Sequence, residues 1–234
     1  MFGYYYGFDM YYLVLIVPCI VFAMWAQMSV KSNFDKFSRV RNRRGITAAQ
    51  AAQAVLQQNG VTGVRFERIA GNLTDHFDPR DNVIRLSSPV YDSTSVAAIG
   101  VACHEAGHAV QYARNYAPMR LRSAIIPITQ FGSVASWPLL VLGLVLNNDM
   151  LAVIGIALFA LSTVFQLVTL PVELDASRRA LAAIHDGYLL DEEEYPMAKK
   201  TLWAAAMTYV AALATSLASL LRLLLIFGGQ RRDD

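Results

Sequence analysis

The chain has 234 residues, of which 55% are hydrophobic and only 16% are charged. Soluble domains usually contain about 45–50% apolar and about 25% charged residues, so this composition indicates a membrane protein and excludes a large soluble enzyme. The net charge is only +2, and the basic residues are concentrated beside an apolar segment, which gives no support for a nucleic-acid partner.

Four charge-free apolar runs are each long enough to cross a bilayer. They cover residues 10–28, 123–146, 150–172 and 201–221, and a helix of about 20 residues spans a hydrocarbon core of roughly 30 Å. The first run has an aromatic belt at residues 2–12 but lacks the basic leader and small-residue exit site of a cleavable signal. We therefore interpret it as a retained membrane anchor.

The segment after the first run is strongly basic. Its six cations are Lys31, Lys36, Arg39, Arg41, Arg43 and Arg44. Such a cluster is typical of a cytoplasmic flank that touches anionic lipid. It places the N-terminus outside the cell, residues 30–122 in the cytoplasm, and both the turn at 147–149 and the C-terminal tail outside. Near the end of the last run, Arg222 is expected to extend its guanidinium towards the membrane surface.

The cytoplasmic block contains signals for two helices and a small β structure. Thr47 is a suitable N-cap for a helix over 48–58, which Asn59 and Gly60 would end. Residues 64–69 resemble a short strand, turn residues follow at 78–82, and a β pattern resumes at 83–86, so we expect a small hairpin. A second helix is expected from residue 93 or 94 to about 115. The later acidic run 191–194 is expected to form a solvated loop.

The second of these helices contains the sequence His-Glu-Ala-Gly-His at 104–108. Histidines four residues apart lie about 40° apart around a helix, so His104 and His108 can bind one Zn²⁺ ion. Glu105 is one position away, where its carboxylate can act as a general base on a water molecule activated by the metal. Gly107 costs about 1 kcal/mol relative to alanine inside a helix, so we expect another element to approach closely there.

A catalytic zinc site requires a third protein ligand. The candidates are His76, Glu173, Asp175 and His185. Glu173 and His185 cannot act together, because twelve residues of helix separate them by about 18 Å. Glu173 follows the third apolar run, where Pro171 indicates a helix start and the chain returns to the cytoplasmic side. Asp175 is better placed to orient a ligand, His185 is expected to contact carbonyls at a helix end, and His76 has no assigned role.

Four segments resemble the bacterial neutral zinc metallopeptidases of the YugP type, which are membrane metalloproteases. The segments are LTDHFDP at 73–79, RLSSPVY at 85–91, HEAGHAVQ at 104–111 and PVELDASRRAL at 171–181, and the similarity extends over essentially the whole chain. The resemblance implies that His104, His108 and Glu173 bind one zinc ion and that Glu105 is the catalytic base. Related membrane metalloproteases have an aspartate four positions after the glutamate ligand, where this chain has Ser177.

We therefore predict a mainly α, polytopic membrane protein with four transmembrane helices and a small cytoplasmic α+β, zincin-like portion with a β-hairpin or short sheet. The expected segments are an anchor at 1–29, the metallopeptidase portion at 30–122 and a transmembrane hairpin at 123–172. A third-ligand helix with the acidic loop follows at 173–203, and a last transmembrane helix with its tail at 204–234.

The expected function is that of a zinc metalloendopeptidase of the bacterial plasma membrane, with its active site at the cytoplasmic surface. Its expected partners are protein or peptide substrates, membrane proteins among them, and the lipid bilayer. One alternative is a site-2-type intramembrane protease with Asp175 as third ligand, although the polar residues after His108 argue against it. Another is a catalytically silent metal-binding scaffold or chaperone, which would have no need of Glu105. An ATP-dependent protease is excluded because the phosphate-binding motif is absent from the sequence.

Overall fold

The protein is described by a computed structural model that covers residues 9–230, so residues 2–8 of the predicted aromatic belt and the tail at 231–234 lie outside the described residues. The fold is mainly α, as predicted. A π-helical turn at Tyr12–Ile16 leads into α1. The elements are α1 (Val17–Phe37), α2 (Ala48–Gln58), β1 (Arg65–Ile69), β2 (His76–Asp78), β3 (Val83–Ser87), α3 (Ser88–Tyr91), α4 (Val96–Ala113), α5 (Ala117–Val145), α6 (Asp149–Asp186) and α7 (Tyr195–Gln230).

Among the described residues, four helical segments are long and apolar enough to cross a membrane, which confirms the four predicted spans. They are Tyr12–Phe37, Ala117–Val145, Asp149–Asp186 and Tyr195–Phe227. Many of their large apolar side chains are exposed, among them Phe131, Val134 and Trp137 on α5. Exposed apolar surface of this kind is expected where lipid, rather than protein, covers a helix.

One compact unit contains the beginning of α1, residues 121–170 and the end of α7. Within it, the Arg222 guanidinium donates to Asp9 Oδ2 over 2.7 Å and lies 5.4 Å from the centre of the Tyr12 ring. Arg222 therefore has a specific carboxylate partner, where the sequence predicted only an extension towards the membrane surface. Pairing lowers the cost of placing a charge in an apolar segment.

The second compact unit consists of Ala26–Arg120 and Pro171–Met207. Its core is formed largely by small and branched side chains of α2 and α4, such as Val55 and Ile99. The predicted start of α2 is confirmed, because Thr47 Oγ1 accepts the Gln50 N–H at 3.2 Å while Gln50 Oε1 accepts the Thr47 N–H at 2.8 Å. This reciprocal capping satisfies two N–H groups that a helix start would otherwise leave without partners.

The unit also contains a three-stranded sheet in the order β1–β3–β2. The sequence predicted a hairpin between the strand at 64–69 and the run at 83–86. Both strands form, as β1 and β3, but they pair in parallel, so this pairing is wrong. The antiparallel partner of β3 is β2, which was not predicted, with Phe77 opposite Ile84. β2 has only three residues, too few for an alternating pattern to predict it.

α6 continues through Pro171 without a break, from Asp149 to Asp186. The expectation of a new helix start just before Glu173 is therefore wrong. A proline is tolerated inside a membrane helix where neighbouring groups satisfy the backbone that it leaves unpaired. Glu173 and Asp175 consequently belong to the same uninterrupted helix as the third apolar run.

The acidic run 191–194 is more than a solvated loop. Glu194 is buried, and its Oε1 accepts the backbone N–H of Arg43 at 2.7 Å. The Arg43 guanidinium also lies 3.0 Å from Asp191 Oδ2. The prediction is wrong for Glu194 because its carboxylate satisfies a backbone donor of the basic segment, 151 positions away in the sequence.

Candidate metal centre

The site is built first on α4, whose start is set by Ser95. The Ser95 side chain accepts the backbone N–H of Ala98 at 3.3 Å, which fixes the first turn of the helix. Two turns later the helix presents His104 and His108 on one face, as the spacing predicts. His108 is buried and His104 is only partly so, which leaves one side of the pair accessible.

α6 approaches this face at Gly107. A Cβ atom at Gly107 would lie 2.5 Å from the carbonyl oxygen of Ala176, a backbone atom that cannot turn aside. The expectation of a close approach at this glycine is confirmed. The contact brings the α6 segment that carries Glu173 and Ser177 directly onto the histidines.

Three donor groups meet where the two helices touch. Glu173 Oε2 lies 3.2 Å from His104 Nε2 and 3.4 Å from His108 Nε2, and one ligand atom from each residue lies within 4.8 Å of the others. Donors at about 2.0–2.1 Å from a tetrahedral zinc ion stand about 3.3 Å from one another. The spacing and the mixture of two imidazoles with one carboxylate therefore fit Zn²⁺, and Glu173 is only 2% exposed.

Polar side chains contact the Nδ1 atoms of both imidazoles, on the side of each ring away from Glu173. His104 Nδ1 lies 3.0 Å from Ser177 Oγ, one helical turn after Glu173 on α6. His108 Nδ1 lies 3.0 Å from Gln111 Oε1. Such contacts fix the ring orientation of metal-binding histidines. Sequence reasoning missed Gln111, although it lies three positions after His108 on the same helix face.

Asp175 faces away from the donor groups but remains connected to them. Its Oδ2 accepts from Gln111 Nε2 at 3.0 Å and from Arg179 Nε at 2.5 Å, and its Oδ1 pairs with Arg178. The carboxylate is almost fully buried between these partners. The structure thus places Asp175 behind Gln111 rather than beside the histidines.

Glu105 follows His104 on α4 and lies buried next to β2. Its Oε2 accepts the backbone N–H of Phe77 at 3.0 Å, a contact between the helix and the edge strand. Burial raises the pKa of the Glu105 carboxyl above its usual value, and the neighbouring His104 and His108 oppose part of this shift. A carboxylate with a raised pKa is a better proton acceptor than an exposed one.

Comparison with known proteins identifies the family. Residues 12–228 match the family described as "Putative neutral zinc metallopeptidase". The chain is also 44% identical, over 227 residues, to the "Putative membrane protease YugP" of Bacillus subtilis, covering 96% of this chain and all of that protein. The chain belongs to the neutral zinc metallopeptidase family. No solved structure matches it significantly.

The family implies a zinc ion, and within residues 9–230 the three donors described above are the group that could bind it. The other two histidines lie elsewhere. His76 is exposed on β2 and its Nδ1 lies 2.9 Å from the carbonyl oxygen of Thr74. His185 Nδ1 contacts the Asp186 side chain at 3.1 Å, and its ring packs on Tyr195, so the predicted contact with helix-end carbonyls is wrong.

The helix contact at Gly107 predicts a selective effect of added volume. Gly107→Ala should lower the free energy of unfolding by about 1–3 kcal/mol, because the methyl group overlaps a backbone carbonyl, and it should weaken zinc binding by moving α6. Gly100→Ala is the matched control on the same helix, since its nearest neighbour would be Ala198 Cβ at 3.7 Å, an ordinary contact.

Thermal unfolding of both purified variants in detergent measures the effect. The alanine at position 100 should be neutral or slightly stabilising, because alanine is a better helix former than glycine. Equal stability of the two variants would contradict a tight helix contact at Gly107.

Proposed function

We propose that the chain is a membrane-bound zinc metalloendopeptidase in which His104, His108 and Glu173 hold one zinc ion and Glu105 is the general base. The observation that carries the proposal is the position of the Glu105 carboxylate. It is buried beside the donor groups without being one of them. A purely structural metal site has no use for a base in this position.

In the proposed reaction, each residue of the site has a separate role in peptide hydrolysis. A bound zinc ion supplies a Lewis acid that makes water nucleophilic near neutral pH. The Phe77 N–H holds Glu105 Oε2, which orients the carboxylate so that Oε1 can take a proton from the attacking water. The same carboxyl group can then deliver that proton to the departing amine of the peptide bond. Ser177 and Gln111 keep the imidazole rings in place during these transfers.

A peptide substrate is supported by the position of β2. This strand lies at one edge of the sheet, and Phe77 within it touches Glu105. Extended chains often align beside an edge strand, and although the Phe77 N–H is engaged by Glu105, the contact places this edge next to the proposed base. The proposed substrates are therefore proteins or peptides that present an extended segment, and the membrane location of the enzyme brings membrane proteins within reach.

The alternatives receive less support. A site-2-type enzyme needs its histidines on a spanning helix, whereas α4 is absent from the four membrane-spanning candidates among the described residues. The third ligand of that alternative would be Asp175, but its carboxylate is engaged by two arginines and Gln111. In a silent scaffold, the buried Glu105 carboxylate would serve only the backbone N–H of Phe77.

The test of the function is proteolysis by the purified full chain in detergent. We expect slow cleavage of an unfolded model protein, loss of cleavage after treatment with a chelator, and recovery when Zn²⁺ is restored. Cleavage that persists in the chelated protein, or zinc binding with no cleavage of any unfolded substrate, would contradict the proposal.

We further propose that the site lies on the cytoplasmic side of a bacterial plasma membrane, on the basis of the six basic residues after the first span. In a Cys19→Ser background, Gln57→Cys should resist an impermeant thiol reagent in intact cells and Asn148→Cys should react. Both positions are exposed in the folded protein, so the difference reports the side of the membrane. Reversed labelling would place the site outside the cell.

A further inference from the structure

Gln111 is completely buried, and both polar atoms of its amide have hydrogen-bonding partners. Its Nε2 donates to the carbonyl oxygen of Val172 at 2.7 Å and to Asp175 Oδ2 at 3.0 Å, while its Oε1 faces His108 Nδ1 at 3.0 Å. An amide nitrogen has two hydrogens to donate. Both are therefore committed to α6, and the amide oxygen is left for the histidine.

The contact with Val172 shows which end of the Gln111 amide is the nitrogen and which is the oxygen. A backbone carbonyl can only accept hydrogen bonds, so the amide nitrogen, and not the oxygen, must face Val172. The amide oxygen must then face His108. Because an amide oxygen can only accept, His108 has to carry a proton on Nδ1. In the neutral imidazole that binds a metal, the lone pair is then on Nε2, which lies 3.4 Å from Glu173 Oε2.

We propose that Gln111 is a positioning residue that fixes the tautomer of His108 for metal binding and takes its own orientation from the Val172 carbonyl. Metal-binding histidines usually receive this support directly from a carboxylate, a carbonyl or water. Here a neutral amide stands between the imidazole and Asp175. The inference rests on the proposed zinc site and adds a residue that acts on that site through His108.

The carboxylate behind Gln111 has a secondary role in this arrangement. Asp175 accepts one of the two amide hydrogens, but the Val172 carbonyl accepts the other and cannot be removed by a side-chain change. Loss of charge at Asp175 should therefore leave the amide in the same orientation. Loss of the amide itself should release the imidazole, which can then adopt the tautomer with its proton on Nε2.

Three variants of the full chain separate positioning from packing. Gln111→Met keeps the side-chain volume but removes the acceptor and both donors. Asp175→Asn removes the charge and leaves the amide of Gln111 in place. Ile99→Ala opens a space in the apolar core of α4, more than one turn before His104, and so lowers stability without touching a donor group.

The measurement is the zinc dissociation constant of each folded, purified variant, from competition with a chelator. Gln111→Met should bind zinc about 10–100 times more weakly than the wild type. The other two should stay within a few fold of it. The Nδ1–H proton signal of His108 should be present in selectively ¹⁵N-histidine-labelled wild-type protein with zinc, and absent or exchange-broadened in Gln111→Met.

Two results would overturn the inference. Equal zinc affinity of Gln111→Met and Ile99→Ala would show that Gln111 serves packing alone. An equal loss of zinc affinity in Asp175→Asn and Gln111→Met would show that the Asp175 carboxylate, rather than the Val172 carbonyl, orients the Gln111 amide. A wild-type chain that binds no zinc would instead refute the proposed metal site itself, so the two failures are distinguishable.

Discussion

Glu105→Gln should keep about one zinc ion per chain while lowering the rate of peptide hydrolysis by roughly 10²–10⁴-fold, the usual contribution of a general base. The amide has the shape of the carboxylate, and its oxygen can still accept the Phe77 N–H that holds Glu105 Oε2. It cannot take a proton from water. Because Glu105 is not one of the three donor groups, coordination should be unaffected by the change.

The experiment compares zinc content and cleavage rate in the same purified preparations. Glu67→Gln is a suitable control, because this glutamate lies on β1 and pairs with Arg85, outside the donor cluster. It should retain both zinc and activity. Normal cleavage by Glu105→Gln, in material free of other proteases, would refute the role of Glu105, whereas a loss of zinc would mean that the carboxylate helps to hold the metal.

The residues of the site that could be predicted from the sequence lie close together on one helix. His104, Glu105 and His108 lie within five consecutive residues, so the helix period alone fixes their relative directions. Gly107 was informative for a related reason. Glycine lowers the stability of a helix relative to alanine, so its presence suggests a close contact that has no room for a methyl group. That contact is with the Ala176 carbonyl.

The contacts that were missed join segments far apart in the chain. Gln111 meets Asp175 across 64 positions, and Glu194 meets Arg43 across 151. Hydrophobic periodicity describes one element at a time. It therefore indicates which face of a helix is buried, but not which polar group of another element contacts that face. The same limit explains why β1 was predicted as a strand while its parallel pairing with β3 was not.

The continuity of α6 was missed for a different reason. Pro171 is a strong helix-breaking signal in soluble proteins, and it suggested a new helix with Glu173 near its start. In a membrane helix the same residue is tolerated, and α6 runs through it. The side-chain direction of Glu173 therefore comes from its place within a long helix that packs on α4 at Gly107, and not from a local helix start.

Glu173→Ala should abolish zinc binding and proteolysis together. Glu173 provides the only carboxylate oxygen among the three clustered donors of the described residues, at 3.2 Å and 3.4 Å from the two imidazole nitrogens. Its negative charge also offsets part of the charge of the ion. Without it, two histidines remain, and we expect a loss of zinc affinity well beyond the roughly 10–100-fold that follows from losing an outer contact to a ligand.

The matched comparison is Asp175→Asn, two residues further along the same helix. Its carboxylate contacts Gln111 and two arginines rather than the donor cluster, so this variant should keep most of its zinc and lose only part of its activity.

Since Glu173 is buried and alanine leaves a space, Glu173→Gln serves as a second variant with the shape of the wild-type side chain. Far-ultraviolet circular dichroism checks that both Glu173 variants are folded. The amide retains an oxygen but no charge, so zinc should be weakened there too. Tightly bound zinc at full occupancy in folded Glu173→Ala would mean that another residue completes the site.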